Sequence, residues 1–348
     1  MNKVRWGIIG PGRIANRFAD GLKETQSGEL VSIASLNEKR RNSFGDKYNI
    51  QNSLRFDNYY EILKSSKIDA IYISLPHNLH SFWAKEAAIN SKHVLCEKPF
   101  CVNLNQALQT LSFFNDKIFF MEGFMYRCHP QIKKLINIIE SKIIGEIYLI
   151  QSSFGFKAPF DPKSRLFNVN LSGGSILDVG LYPVSFSRLV ATISNKTMSE
   201  PEKIEAKGII GNTGVDIESS GKLYFKNNII AEVETSIVKD LKNTAKITGT
   251  KGTIFLDIPW QPGKEGGPYD CSITIQSETK NEVINMKGPE HLFFFEADHS
   301  NKCISEGKNT ASFPAMTIND TIGNLSVLDK WRREIGYKIP EDDIVNFF

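Results

Sequence analysis

Cysteine is scarce. Five occur in 348 residues (Cys96, Cys101, Cys128, Cys271, Cys303), an odd number with no CxxC pair. That argues against a disulfide framework or a cysteine-held zinc, and for reduced thiols in a cytoplasm. An excess of one charge is also missing: 42 Lys and Arg stand against 39 Asp and Glu, a net +3. Basic residues are interleaved with acids, so there is no electrostatic footprint for nucleic acid. No apolar run approaches the roughly 20 residues of a membrane span. The opening MNKVRWGIIG passes straight into a strand-like pattern and shows no signal-peptide cleavage region. His77 and His80 have no acid or third ligand placed to complete a metal site, and no metal is expected. What remains, 41% hydrophobic and 23% charged, is ordinary for a globular protein. The length exceeds one ordinary core and predicts two domains.

The first third alternates strand-like and helical segments. VRWGIIG (4–10), LVSIASL (30–36), IDAIYISLP (68–76), HVLCEKP (93–99) and IFFMEGF (118–124) read as strands. Between them RIANRFADGLK, KRRNSFGDKY, NYYEILKS, HSFWAKEAAINS and LNQALQTLSFFN carry helical spacing. Alternation of this kind predicts a parallel sheet with helices on both faces. Runs such as AIYIS are apolar throughout, as strands buried on both faces require. From about residue 146 to 287 the pattern turns to successive strands separated by Gly, Asn and Asp turns, interrupted by GGSILDVGLYPVSFSRLVATI (173–193). The predicted architecture is α/β: a doubly wound dinucleotide-binding domain over 1–124, then an α+β domain over 125–348 with a large open antiparallel sheet.

Gly10-Pro11-Gly12-Arg13-Ile14-Ala15 fits G-x-G-x-x-G/A between a strand and a helix. The first glycine permits the tight turn and the second lets backbone approach a pyrophosphate. The helix N-terminus then favours its charge. An acid that would hold an NAD ribose is missing where the second strand ends at Ser35-Leu36-Asn37. Lys39, Arg40 and Arg41 follow and can pair with a 2′-phosphate, so the expected cofactor is NADP in preference to NAD.

HVLCEKPF (93–100) sets Glu97 and Lys98 at a strand's carboxyl end, where ligands of doubly wound sheets bind. A lysine there can hydrogen-bond a substrate oxygen and share its proton, with Pro99 fixing its direction. In GGSILDVGLYP, Asp178 and Tyr182 are four apart and share a helix face. Pro183 is expected to disturb that helix.

Together these motifs resemble the glucose–fructose oxidoreductase/inositol dehydrogenase/MocA superfamily of NAD(P)-dependent oxidoreductases. PHNLH (76–80), ITGTKGTIFL (247–256) and the terminal KWRREIG extend the likeness over nearly the whole chain. EGFMYRCHPQ (122–131) and DVGLYPVSFSRL (178–189) are similar to the branch of dimeric dihydrodiol dehydrogenases and NADP-dependent D-xylose dehydrogenases.

The resemblance implies that Lys98 is the catalytic lysine, Asp178 an orienting acid and Tyr182 the acid–base phenol, its pKa lowered by Lys98. It implies a cis Lys98–Pro99 bond. Gly10, Gly12, Arg13 and Ile14 would line the pyrophosphate, and Asn37 and Arg40 the adenosine end. Leu75, Pro76, Asn78 and His80 would lie along the cofactor, with Glu97 near the nicotinamide ribose. Arg127, His129, Phe156, Arg165 and Asn168 are candidate substrate contacts. The expected reaction is hydride transfer between nicotinamide and a secondary alcohol or ketone of a sugar or cyclic polyol. A nucleotide-sugar 3-ketoreductase and a non-catalytic NAD(P)-binding regulator are the alternatives. A homodimer through the outer sheet face is expected, on the premise that this face is apolar.

Overall fold

A computed structural model describes residues 3–263 and 267–348. The first domain is a six-stranded parallel sheet of β1 (Val4–Ile9), β2 (Gly28–Ala34), β3 (Arg55–Phe56), β4 (Ala70–Ile73), β5 (His93–Glu97) and β6 (Phe120–Gly123). Its spatial order is β3-β2-β1-β4-β5-β6, the doubly wound order of dinucleotide-binding folds. The chain crosses over between neighbours β1 and β4, so the crevice at their carboxyl ends faces the loops after both. Sequence reading missed β3, whose two residues are too short for any periodicity.

Helices α1 (Arg13–Glu24), α2 (Glu38–Lys47), α3 (Tyr59–Lys64), α4 (His77–Ile89) and α5 (Leu104–Leu111) make the crossovers. In α1, Ala15, Phe18, Ala19 and Leu22 are buried, a 3.6-residue stripe. Phe18 stacks on Tyr72 of β4 at 3.9 Å. Helix α4 starts at His77, three residues before the predicted start, because Pro76 stands ahead of it as N-cap.

After α6 (Met125–Cys128) and α7 (Pro130–Glu140), the second domain builds a sheet of eight strands. These are β7 (Ile147–Gly155), β8 (Lys203–Ile210), β9 (Asp216–Tyr224), β10 (Ile230–Ser236), β11 (Ala245–Gly249), β12 (Gly252–Leu256), β13 (Tyr269–Ser277) and β14 (Asn281–Gly288). Their order is β14-β13-β12-β11-β7-β10-β9-β8. The sheet is mixed: β7 and β10 run parallel, and the other neighbouring pairs are antiparallel. The parallel pair arises because α8 (Leu181–Asn195) and β8 and β9 intervene before the chain returns beside β7.

Helix α8 packs on the inner face of β7 and β10. An 18-residue window within residues 169–195 is apolar enough for a membrane span by composition, but 89% of that window is buried inside the fold. Helix α9 (Leu292–Ser305) returns to the first domain and packs on α1. There Trp6 donates from Nε1 to Asn301 at 2.8 Å. Helix α10 (Ile318–Glu334) packs against α8, α5 and β8.

The outer sheet face corrects the apolar premise. It carries Gln151, Glu205, Lys222, Glu232 and Lys246. Lys222 pairs with Glu232 at 3.1 Å, and Gln151 donates to the same carboxylate at 3.0 Å. Strand alternation leaves this charged row outside over the centre of the sheet, with Ile209, Phe255 and Val283 as exposed apolar residues around it.

Candidate active site

The glycine turn after β1 is held from both sides. Gly10 has φ +93°, and a Cβ there would stand 3.1 Å from the Ser74 carbonyl and 2.9 Å from a Leu75 methyl. Ser74 donates from Oγ to the Gly10 carbonyl at 2.7 Å, binding the turn to the end of β4. A Cβ on Gly12 would meet nothing within 4 Å, so this face is open where α1 begins with Arg13 and Ile14. An open backbone cradle at a helix N-terminus fits a pyrophosphate.

Asn37 caps α2 by accepting from the Arg40 N–H at 2.9 Å. Beside it is a cavity of about 380 Å³ lined by Pro11, Asn16, Asn37, Lys39, Arg40, Ser43, Phe44 and Lys47. Three cations and no carboxylate line it. Asn16, Ser43 and Lys47 escaped the sequence reading, although Arg40 and Lys47 lie two helical turns apart on one face.

Leu75 and Pro76 lead from β4 into α4. His80 sits between two carbonyls, Nδ1 at 2.8 Å from Pro99 and Nε2 at 2.7 Å from Leu75. Burial pushes its pKa down to about 4, the two contacts opposing. His80 is therefore a clamp between the two loops, not a group facing open cofactor space. Asn78 keeps a buried Oδ1 with no partner among the described residues, an acceptor ready for a ligand.

The Lys98–Pro99 bond is cis, as the resemblance implies. Lys98 Nζ donates to the Asp178 carbonyl at 2.7 Å and lies 3.4 Å from its carboxylate Oδ1. It also stands 5.4 Å from the centroid of the Tyr182 ring. Two motifs eighty residues apart thus converge. Glu97, one residue before, turns inward, and its carboxylate accepts from the Tyr72 phenol. Burial raises the Glu97 pKa against that hydrogen bond and the Lys98 cation.

Asp178 lies in a π-helical turn, Ile176–Gly180, directly before α8. Pro183, five residues on, has no N–H for the Asp178 carbonyl, which accepts from Lys98 instead. The predicted disturbance by Pro183 is thus a single wide turn ahead of a continuing helix. The Asp178 side chain is 3% exposed and also receives Arg165 Nη1 at 2.7 Å. Burial alone would raise its carboxyl, but Lys98 and Arg165 outweigh it and hold it below the usual carboxylate range.

Arg165 reaches in from the loop after β7, with 47% of its side chain exposed. Its Nη1 is 3.4 Å from His77 Nε2, a site member that sequence reading had weighed only as a metal ligand. Burial and the Arg165 charge lower the His77 pKa, so a neutral imidazole faces the guanidinium.

Tyr182 departs from expectation. Its hydroxyl contacts Met125 Sδ at 3.6 Å. Its ring lies among Phe124, Phe154, Tyr126 and Trp260, with centroids 5.2–6.0 Å away. Burial, followed by Glu97 and Asp178, raises its pKa well above the usual value, opposite to the lowering expected from Lys98.

Three other substrate candidates are also corrected. Arg127 is fully buried and bound to Pro314, Ser185 and Asp320. His129 is buried as the N-cap of α7, accepting from Gln131 N–H at 3.1 Å. Asn168 caps a short 3-10 turn by accepting from Asn170 N–H at 3.0 Å. Arg127 spends its donors on a carbonyl, a hydroxyl and a buried ion pair, and His129 Nδ1 and Asn168 Oδ1 each cap a backbone N–H, although His129 Nε2 is buried with no partner among the described residues. Phe156 follows β7, half-buried against the core.

A nucleotide cradle at the crevice of a parallel sheet, with a lysine at the end of β5 held by a carboxylate residue of the second domain, fits a nicotinamide-dependent oxidoreductase. Comparison with known proteins agrees. Residues 4–117 match the oxidoreductase family with NAD-binding Rossmann fold, and residues 132–255 match the GFO/IDH/MocA C-terminal domain. The chain belongs to the Gfo/Idh/MocA family.

Over 352 aligned residues it is 30% identical to trans-1,2-dihydrobenzene-1,2-diol dehydrogenase of Xenopus tropicalis, covering 97% of this chain and 99% of that one. It is 30% identical over 235 residues to D-xylose 1-dehydrogenase (NADP(+)) 2 of Haloferax volcanii, covering 67% and 69%. Its fold matches a 3-ketoreductase from Actinomadura kijaniata, solved with NADP and TDP-benzene. That match has TM-score 0.81 and 23% identity over 96% of this chain and 98% of that one.

Proposed function

We propose that the protein transfers a hydride between NADP(H) and a secondary alcohol or ketone of a sugar or cyclic polyol, with Lys98 handling the proton. The observation that carries this reading is the Lys98 ammonium, fixed by Asp178 at the carboxyl end of β5. Gly10, Gly12, Arg13 and Ile14 would hold the pyrophosphate; Asn37, Lys39, Arg40 and Lys47 the phosphorylated adenosine ribose. When bound, the nicotinamide supplies the hydride chemistry.

Lys98 hydrogen-bonds the substrate oxygen and exchanges its proton during reaction. Asp178 stays ionised and orients both Lys98 and Arg165. Arg165 uses one nitrogen for Asp178, leaving the others to bind substrate hydroxyls. Tyr182 supports the Lys98 cation with its ring face, and its phenol remains protonated and secondary to the lysine in proton exchange. The dimer is proposed through the outer sheet face by pairing of charged rows, with five unpaired thiols suited to a reducing cytoplasm.

The test is a panel of pentoses, hexoses, inositols and trans-dihydrodiols assayed with NAD and NADP. Nicotinamide absorbance turnover with at least one polyol, faster with NADP, supports the reading. Activity only on nucleotide-linked ketosugars would favour a 3-ketoreductase. Nucleotide binding without turnover on either group would favour a regulator. Light scattering on a sizing column reads the dimer.

A further inference from the structure

The lysine depends on backbone: its shortest contact is the carbonyl of Asp178, inside the π-helical turn. What shapes that turn lies outside every motif. Asp216, at the start of β9, is fully buried, and its Oδ2 accepts from Ser175 Oγ at 2.6 Å and Ile176 N–H at 2.9 Å. It therefore grips the entry of the turn. Its other oxygen, Oδ1, has no hydrogen-bond partner among the described residues. Gly174 has φ +100°, and a Cβ there would stand 2.1 Å from that oxygen. Thr235 of β10 donates to the Ser175 carbonyl at 3.0 Å, so the second sheet holds donor and acceptor groups of the same residue. Burial pushes the Asp216 carboxyl up to about 7 even against these hydrogen bonds, which makes asparagine a close mimic.

We propose that Asp216 is a positioning residue: by clamping Ser175 and Ile176 it sets the π-turn that offers the Asp178 carbonyl to Lys98. Gly174 is required to let that carboxylate in, and Pro183 leaves the carbonyl open at the far end. A buried acid of the second domain thus determines the orientation of a lysine carried by the nucleotide-binding domain. The importance of this orientation rests on the function proposed for Lys98, but the clamp itself is readable without any substrate.

The experiment labels the folded, ligand-free protein with an acetylating N-hydroxysuccinimide ester and follows each lysine by peptide mass spectrometry. Lys92 is the internal control: its Nζ donates to the Ser65 and Ile68 carbonyls, both at 2.7 Å, in the first domain. Asp216→Ala is expected to raise the Lys98 labelling rate at least about fivefold and leave Lys92 unchanged. Asp216→Asn, which keeps the acceptor oxygen, is expected to restore the wild-type rate at Lys98. Gly174→Ala, which pushes a methyl group at the carboxylate, should release Lys98 as the alanine at 216 does, and serves as the deciding variant if Asp216→Ala does not fold. Unchanged Lys98 labelling in folded Asp216→Ala, or in Gly174→Ala where the former fails to fold, overturns the proposal. So does a parallel rise at Lys92, which would mean general loosening. A protein inactive on every polyol leaves this readout intact and counts against the proposed function alone.

Discussion

Replacing Glu122 by glutamine should stabilise the protein, but only at neutral and alkaline pH. Glu122 lies in β6, is 2% exposed, and accepts from the Phe100 N–H at 2.8 Å. Burial pushes its carboxyl from 4.5 to about 7, with the Phe100 hydrogen bond opposing and the neighbouring Glu97 adding to the rise. The folded state therefore holds this proton more tightly than the unfolded chain. The stability the protonated group contributes is complete below pH 4.5 and is lost as pH rises towards about 7. At 1.36 kcal/mol per pH unit, that gap is worth about 3 kcal/mol. Glutamine keeps the acceptor for Phe100 and cannot ionise. The stability difference between Glu122→Gln and wild type should be about 1 kcal/mol or less at pH 5 and approach about 3 kcal/mol at pH 8.5. Denaturant midpoints followed by far-UV circular dichroism across that range measure it. Asp216 also has a raised pKa, but it is present in both proteins and cancels in the difference; Glu97 repels the Glu122 carboxylate, and relief of that repulsion is part of the expected gain. A difference that stays constant with pH would refute the reasoning.

Three further outcomes follow from the site and its surroundings. Gly10→Ala forces a side chain into the left-handed region and against Ser74, so NADP affinity by nicotinamide fluorescence should fall at least about tenfold, one to two kcal/mol. Arg127→Met leaves Asp320 short of a buried partner and should cost about 3 kcal/mol in denaturant unfolding. Steady-state kinetics of the same variant should show KM for a polyol unchanged, since Arg127 is enclosed away from the cleft. Tyr182→Phe removes a hydroxyl whose hydrogen-bond partner is the Met125 sulfur, so kcat should fall less than about tenfold. A loss of about a thousandfold or more, as expected of a general acid–base, would return the proton to the phenol.

Where one residue's chemistry suffices, the sequence is informative. The glycine turn and the strand–helix alternation give the parallel sheet, because a central strand such as β4 is buried on both faces and reads as an unbroken apolar run. Lys98 and Asp178 are legible as members of one site only through the family resemblance that their motifs carry together. Arg127 and His129 misled because a polar residue beside a site motif reads the same whether it faces the cleft or, as here, a buried partner such as Asp320. The fate of Tyr182 depends on an aromatic cage assembled from Phe124, Phe154 and Trp260, which lie far apart in sequence. The parallel pairing of β7 with β10 and the clamp by Asp216 are likewise long-range, and an isolated aspartate at a strand start carries no periodic signal.

Lys98→Met tests the central claim most directly. The methionine keeps an unbranched stem over the Tyr182 ring but cannot donate to Asp178 or to a substrate oxygen. Stopped-flow measurement of single-turnover hydride transfer with NADP and the best polyol should show a loss of about 10²–10⁴-fold, with the nucleotide dissociation constant changed less than about threefold. A variant that transfers hydride within tenfold of the wild-type rate would contradict the account.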